Sequence, residues 1–274
     1  MNELDKRIYK KQDIIEQLSA MAAPRDRIVL AHASLRAIGQ VDGGGEALLD
    51  ALIEYFTKDG GLFCVPTHTW HRLDEEIVLD MASDDNCLGT FSTLAIRDGR
   101  GLRSENPTHS MVVFGDRAKA EAFIADDAYV GTPTAPESGY GKLYTQGGYV
   151  LLIGVSQNRN TYLHAVDEIL GLPNRMEKNP RSMTVKRVSG ELVTREIALY
   201  EADFTVDVSW RFVKYDTPFR YHGCITDGLI GNAPTQLCDA RKMKETVELI
   251  FRNSNGTDVL KEETPIPQRF YCTK

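Results

Sequence analysis

No apolar run in the 274 residues reaches the ~18 needed to cross a bilayer, so no membrane span is expected. The charged N-terminus, MNELDKRIYKKQDIIEQLSAM, lacks the apolar centre of a secretion signal. Cysteine is scarce: five residues, at 64, 87, 224, 238 and 272, odd in number and without a CxxC pair. This argues against a disulfide framework or a zinc knuckle and for reduced thiols in the cytoplasm. A basic excess is also missing. Thirty-two Lys and Arg face 39 Asp and Glu, a net charge of −7, which excludes a general nucleic-acid binder and suits a cationic ligand. The phosphate-cradling patterns GxxxxGK[ST] and GxGxxG, the nucleophile elbow GxSxG, internal repeats and low-complexity tracts are all absent.

What is present has the texture of a soluble globular chain, 42% hydrophobic and 26% charged. Ile8, Ile14, Ile15 and Leu18 fall on one side of a helix predicted over 3–21. Arg27 to Ala33 and Leu62 to Pro66 read as buried strands. Between them the loop SLRAIGQVDGGG leads into a helix from about Glu46 to Thr57. Residues 71–87 are acidic and irregular, and Leu88 to Arg97 reads as helix. A turn at Asn106 to Ser110 opens the strand MVVF, followed by a helix over Asp116 to Ala125, a strand over 149–155 and a helix over 161–170. Such alternation predicts a layered α/β sheet core with flanking helices. Past Pro173, Arg181 to Leu199 alternates around Ser189-Gly190 as a β-hairpin, and a second hairpin is expected near 219–231 with Asp227-Gly228 at its turn. Ala240 to Arg252 closes the chain as a helix. One domain over 1–274, carrying a smaller β-rich insertion at about 174–231, is expected.

Four clusters have residue types suited to chemistry. His32-Ala33-Ser34-Leu35, with the glycines at 39, 43, 44 and 45, is a strand–loop–helix connection whose open N–H groups suit an anion; an ordinary connection has the same pattern. Thr67 to His71 follows a strand end, where ligands gather in α/β sheets. Its two histidines are too few for zinc, and Asp74, Glu75 and Glu76 read as solvated surface, so no metal is expected. His109 and Ser110 sit in a turn that either meets a phosphate or carbonyl oxygen or is simply capped. His164 has Asp167 and Glu168 one helical turn on, and a carboxylate beside an imidazole fixes its tautomer and raises its basicity. A lone helical histidine on the surface or in a core reads the same way. Cys64 has apolar neighbours and suits a buried thiol, so attack by a substrate amine with a histidine base fits better than an acyl-enzyme. Two other classes compete: a metallohydrolase on His68, His71 and His109 or His164, and a non-catalytic coenzyme A or polyamine binder.

The segments HASLRAIGQVDGGGEALLDAL (32–52), GGLFCVPTHTW (60–70), LGTFSTLAIRDGRGLRSENPTHSMVVFG (88–115), ESGYGKLYTQGGYVLLIGVSQNRNTYLH (137–164) and IGNAPTQLCDARKM (230–243) together resemble the aminoglycoside 3-N-acetyltransferase, or antibiotic N-acetyltransferase, family, in that family's order and over most of the chain. The resemblance implies a fold unrelated to the GNAT acetyltransferases. It also implies acetyl transfer from acetyl-CoA to an amine, either the 3-amino group of an aminoglycoside or another amine, by a monomer or homodimer. It implies that His32, Ser34, Leu35, Arg36, Ala37, Val41, Gly43 and Gly44 border the coenzyme A channel. Ser104, His109 and Ser110 then lie on the coenzyme side, and Thr69 near the thioester. His164 matches the family's general base, and Asp167 stands where the family usually has Glu. On this resemblance the 34–37 N–H groups or the Thr69 hydroxyl would receive the oxyanion, and residues 171–205 would help shape the acceptor pocket. Arg36, Arg97, Arg100 and Arg103 would meet the phosphates unless they are plain surface charges. Asn106 departs from the family's usual His, and the segment after Thr69 is shorter than in many members.

Overall fold

The computed structural model describes residues 7–173, 175–200 and 207–272. Its strands are β1 (Ile8–Tyr9), β2 (Ile28–Ala33), β3 (Gln40–Val41), β4 (Leu62–Pro66), β5 (Leu79–Asp80), β6 (Leu102–Arg103), β7 (Met111–Phe114), β8 (Tyr149–Ile153), β9 (Arg181–Lys186), β10 (Leu192–Ile197), β11 (Ile225–Ile230) and β12 (Ala233–Asp239). The helices are α1 (Lys11–Ala20), α2 (Leu35–Ile38), α3 (Gly44–Thr57), α4 (Thr90–Arg97), α5 (Arg117–Ile124), α6 (Gly139–Thr145), α7 (Tyr162–Ile169), α8 (Asp216–Tyr221) and α9 (Ala240–Asn253).

A seven-stranded sheet, ordered β11-β12-β8-β2-β4-β7-β6, forms the centre. Strands β8, β2 and β4 run parallel, and those flanking them are antiparallel. The parallel strands are apolar on both faces because helices cover both. In β2, Ile28 and Leu30 join the cluster beneath α6, α7 and α9, while Val29 and Ala31 join the one beneath α1 and α3. Successive strand residues point to opposite faces, so six residues supply both layers.

The predicted layered α/β architecture is present, with three local corrections. The N-terminal helix starts at Lys11, not residue 3, because Ile8–Tyr9 pairs with Gln40–Val41 as a short parallel strand. Asp227-Gly228 lies inside β11, paired with Gln236 and Thr235. Gly228 serves packing there: a Cβ on it would lie 2.3 Å from the Met21 side chain. The hairpin turn is at Gly231-Asn232, where Gly231 takes φ +60°. Finally, the β-rich insertion is not one unit. The 181–197 hairpin pairs with β5 in a separate three-stranded sheet over Val78, Met183, Ile197 and Leu199, whereas β11 is the edge of the main sheet. Within the expected 171–205 acceptor segment, Asn174 and residues 201–205 lie outside the described residues.

Candidate active site

Strand parity brings three histidines together. Leu30, Cys64 and Met111 each point to the α7 face of the sheet. His32, His68 and His109 continue the same parity beyond them, at the carboxyl ends of β2 and β4 and the amino end of antiparallel β7. Two backbone bonds zip the last pair of strands beyond the ladder, Thr67 N–H to Ser110 O at 2.7 Å and Thr69 N–H to Thr108 O at 2.9 Å. The His68 and His109 rings consequently lie 4.2 Å apart. His68 Nε2 meets the Tyr140 hydroxyl at 2.8 Å, and His109 Nδ1 meets Thr108 Oγ1 at 2.9 Å. Helix α7 brings His164 to the same face. Burial holds all four imidazoles neutral. It lowers His32 to about 3, with the Arg159 charge adding, and His109 to about 3, with His164 adding; His68 falls well below 6.5.

His164 is lowered to about 4 by burial, with Asp207 opposing and Arg175 adding. Its Nδ1 is buried without a hydrogen-bond partner, which leaves Nε2 to meet a substrate. The expected His164–Asp167 pair is therefore not formed. Asp167 instead accepts from Arg175 Nε at 2.7 Å, and Arg175 forks onto Asp258 at 2.6 and 2.9 Å. The physical reason is burial: Asp167 is 2% exposed, and a charge that deep needs a cation more than a neutral imidazole. Glu168 does not bond His164 either. It accepts from the Thr134 N–H at 3.1 Å and hydroxyl at 2.6 Å, and from Thr132 and Tyr200. What the His164 ring touches is aromatic, Tyr200 and Phe212. Neither was legible beforehand. Tyr200 follows the second strand of a hairpin far along the chain, and Phe212 sits in a 3-10 turn over Val208–Tyr215.

The Thr69 hydroxyl donates to Pro107 O at 2.7 Å, so its proton is committed in this geometry. Ser104 and Ser110 are engaged in the same way. Ser110 Oγ donates to Thr67 O at 2.8 Å, and Ser104 Oγ accepts from the Met111 N–H at 3.1 Å. Both are buried pins between strands. Asn106 is the cap of that turn: its Oδ1 accepts from the His109 N–H at 2.9 Å. Leu35, Val41, Gly43 and Gly44 do come together, lining an open groove of about 420 Å³ with Ile8, Ile38 and Leu48. The 14-residue helix α3 begins there with no side-chain cap, so its first N–H groups are free for an anion, although Glu46 occupies its first turn. Ser34 caps α2 by accepting from the Ala37 N–H at 3.3 Å, so Ser34 and Ala37 shape the loop and leave the Leu35 and Arg36 N–H groups open. His32 Nε2 is buried and unpartnered.

Among the candidate arginines, Arg97 pairs with Asp84 and Arg100 with Asp50 and Asp98. Arg103 is half-buried and donates to backbone carbonyls, with Ser83 O at 2.7 Å. Arg36 alone of the four is exposed without an ion pair. Arg159, not foreseen, is also exposed and unpaired, 5.5 Å over the Trp210 ring. No group of three or more His, Cys, Asp or Glu among the described residues has metal-holding geometry. His71 turns away to Asp85 at 3.2 Å.

The fold has counterparts among solved structures. AAC-IIIb, solved as a binary complex with CoASH, matches at a TM-score of 0.76 and 21% identity over 90% of this chain and 97% of that one. The fold is thus the α/β acetyltransferase class that lies outside the GNAT group. Two curated relatives are similar in sequence. The SPbeta prophage-derived aminoglycoside N(3')-acetyltransferase-like protein YokD of Bacillus subtilis (strain 168) is 24% identical over 92% of this chain and 95% of its own length. Aminoglycoside N(3)-acetyltransferase IV of Salmonella sp is 27% identical over 87% and 85%. The family model described as aminoglycoside 3-N-acetyltransferase matches residues 30–252, and the chain belongs to that family. It is an enzyme of the acyltransferase class.

Proposed function

We propose that this protein transfers the acetyl group of acetyl-CoA to an amine, the 3-amino group of an aminoglycoside, by direct attack in a ternary complex. The observation that carries the reading is His164: a neutral imidazole at the ligand-gathering edge of the sheet, with one nitrogen sealed and the other open. The names of the relatives supply the acceptor class, and the CoASH complex of AAC-IIIb supplies the donor. A sugar amine is largely protonated near neutral pH and cannot attack. Acidic side chains near His164 (Asp207 above all) attract the ammonium form, and His164 Nε2 takes its proton as attack on the thioester carbon begins. The imidazolium that results is stabilised by the Asp207 charge rather than by a bonded carboxylate.

The thioester oxygen gains charge as the C–N bond forms and needs donors already in place, each worth about 3–4 kcal/mol of barrier. Collapse of that oxyanion breaks the C–S bond, and coenzyme A leaves as the thiol: of the two protons the ammonium nitrogen loses, one goes to the sulfur and the other, through His164, to solvent. With Thr69 committed, the Leu35 and Arg36 N–H groups take that role. The groove from Leu35 to Gly44 takes the coenzyme, with Arg36 and the α3 N-terminus toward its phosphates. The chain acts as one domain, its 181–197 hairpin on the acceptor side, and works in the cytoplasm, where acetyl-CoA and the free thiols are both at home.

Thiol release from acetyl-CoA, measured against aminoglycosides and simple polyamines, is the test. The wild type releases thiol with aminoglycosides. His164→Ala keeps coenzyme A binding and loses about 10²–10⁴-fold in turnover. Unchanged turnover in that variant removes His164 as base, and release with polyamines alone moves the acceptor class.

A further inference from the structure

A base without a bonded carboxylate still needs its ring held at a fixed angle. The Tyr200 ring lies face to face on His164, centroids 4.3 Å apart and planes 22° apart. Phe212 meets His164 at 4.9 Å and 68°, in an edge contact. The Tyr200 ring also meets His109 edge-on at 5.7 Å, so it is wedged between two histidines of the site.

Tyr200 is itself tied down at both ends. Its hydroxyl donates to Glu168 Oε1 at 3.1 Å and bonds Thr134 Oγ1. Glu168, one turn beyond His164 on α7, is filled by the two Thr134 donors and Thr132, and so cannot swing toward the imidazole. Behind the ring, Tyr200 bridges Met176, the Glu177 N–H donates to Leu199 O at 2.8 Å, and the Ala198 N–H donates to Gly131 O at 2.9 Å. The ring therefore has little freedom to slide, and its face defines one wall of the His164 slot.

We propose that Tyr200 is the positioning residue of His164, and that Glu168 acts on the base through the Tyr200 hydroxyl rather than by direct contact. The proposal rests on the reading of His164 as the base. The carboxylate reaches the imidazole through an aromatic ring, so the base gains a fixed orientation without a charge on its second nitrogen. That keeps His164 neutral, the state a base must be in before the ammonium arrives. It also links base geometry to the segment that follows the 181–197 hairpin, where Tyr200 bridges Met176.

The test compares Tyr200→Phe, Tyr200→Ala, Glu168→Gln and the Tyr200→Phe/Glu168→Gln double variant with His164→Ala, in kcat, in KM for acetyl-CoA and in pH profile. Tyr200→Ala should lose about 10²-fold in kcat, as a misplaced catalytic group does, with acetyl-CoA KM within about twofold. Tyr200→Phe keeps the stack and should lose less than about tenfold. In the Tyr200→Phe background, Glu168→Gln should add almost nothing, because the link it works through is already cut. Opening the slot hydrates His164, so the acid limb of kcat/KM in Tyr200→Ala should move to higher pH. The other groups that face the ring, Asp207, Arg175, His109 and His68, are unchanged across the series.

Wild-type kcat in Tyr200→Ala beside a dead His164→Ala would overturn the positioning role and leave the base reading intact. Full turnover in His164→Ala would instead sink the base reading. Additive losses for Tyr200→Phe and Glu168→Gln would overturn the route through the hydroxyl. Equal losses in both Tyr200 variants, with lowered Tm and lost acetyl-CoA binding, would make Tyr200 merely structural and likewise overturn it.

Discussion

An imidazole sealed at Nδ1 resists protonation, and one carboxylate expected to relieve that at His164 is spent elsewhere. Asp167 is bound into a buried chain with Arg175 and Asp258, at 2.7 Å on one side and 2.6 and 2.9 Å on the other. Its job is to tie α7 to the 258 loop. Asp167→Asn should therefore lower stability by about 1–3 kcal/mol, the cost of weakening a buried charged bond, while kcat of the folded enzyme stays within a few-fold of wild type. Thermal unfolding and initial rates on one preparation check this. A kcat loss like that of His164→Ala with an unchanged Tm would return Asp167 to the catalytic machinery. That an acid stands at i+3 from His164 was readable, but the partner that acid takes was not. Helical spacing says which side chains share a face, and the competing cation arrives from eight residues further along.

At the level of elements, the site depends on how closely α2 approaches the β8 end. Gly154, the first residue after β8, takes φ +64°, and a Cβ there would lie 2.4 Å from Ala37 Cβ and 3.2 Å from Ala233 Cβ. Glycine at this point lets the 34–37 loop lie down on the sheet edge beside the 156–160 turn. Gly154→Ala should push α2 outward, costing about 1–3 kcal/mol as overpacking does, and should raise KM for acetyl-CoA several-fold. Equilibrium urea unfolding and donor titration measure the two effects, and an unchanged KM would detach this loop from the coenzyme side. Most elements were legible to within a few residues, because apolar runs of strand length alternate with helical ones. The exceptions share one cause. Asp-Gly reads as a turn by its residue types, yet Gly228 answers to the Met21 side chain packed on it.

Across the whole molecule, the buried titratable groups set a direction for stability against pH. His32 and His109 at about 3, His164 at about 4 and His68 well below its ordinary value all protonate near 6.5 once unfolded. As pH falls through 6.5 toward 4, the unfolded chain takes up protons that the folded chain refuses, and stability drops. Asp127 and Asp167, raised to about 6 by burial, and Glu168, also raised by burial, work the other way, because the folded chain binds their protons first. Four groups outweigh three, and the histidine window extends further down. The urea midpoint should therefore fall between pH 7 and pH 4, by about 1.4 kcal/mol per pH unit for each net proton. A midpoint that holds level or rises on acidification would show that these histidines are not buried neutral in solution.

The sequence alone determined the layered α/β class, the central strands and the longer helices, and the family, because these depend on local periodicity and on motifs short enough to read in line. It also placed His164, since a histidine after a strand and a polar loop is a local pattern. Which groups surround that histidine was decided only by the tertiary structure. Parity on three strands carries His32, His68 and His109 to one face, Arg175 takes Asp167 away, and Tyr200 arrives from beyond the 181–197 hairpin. Those partners are fixed by competition for burial and charge among residues distant in the chain, and no spacing within the sequence records who wins it.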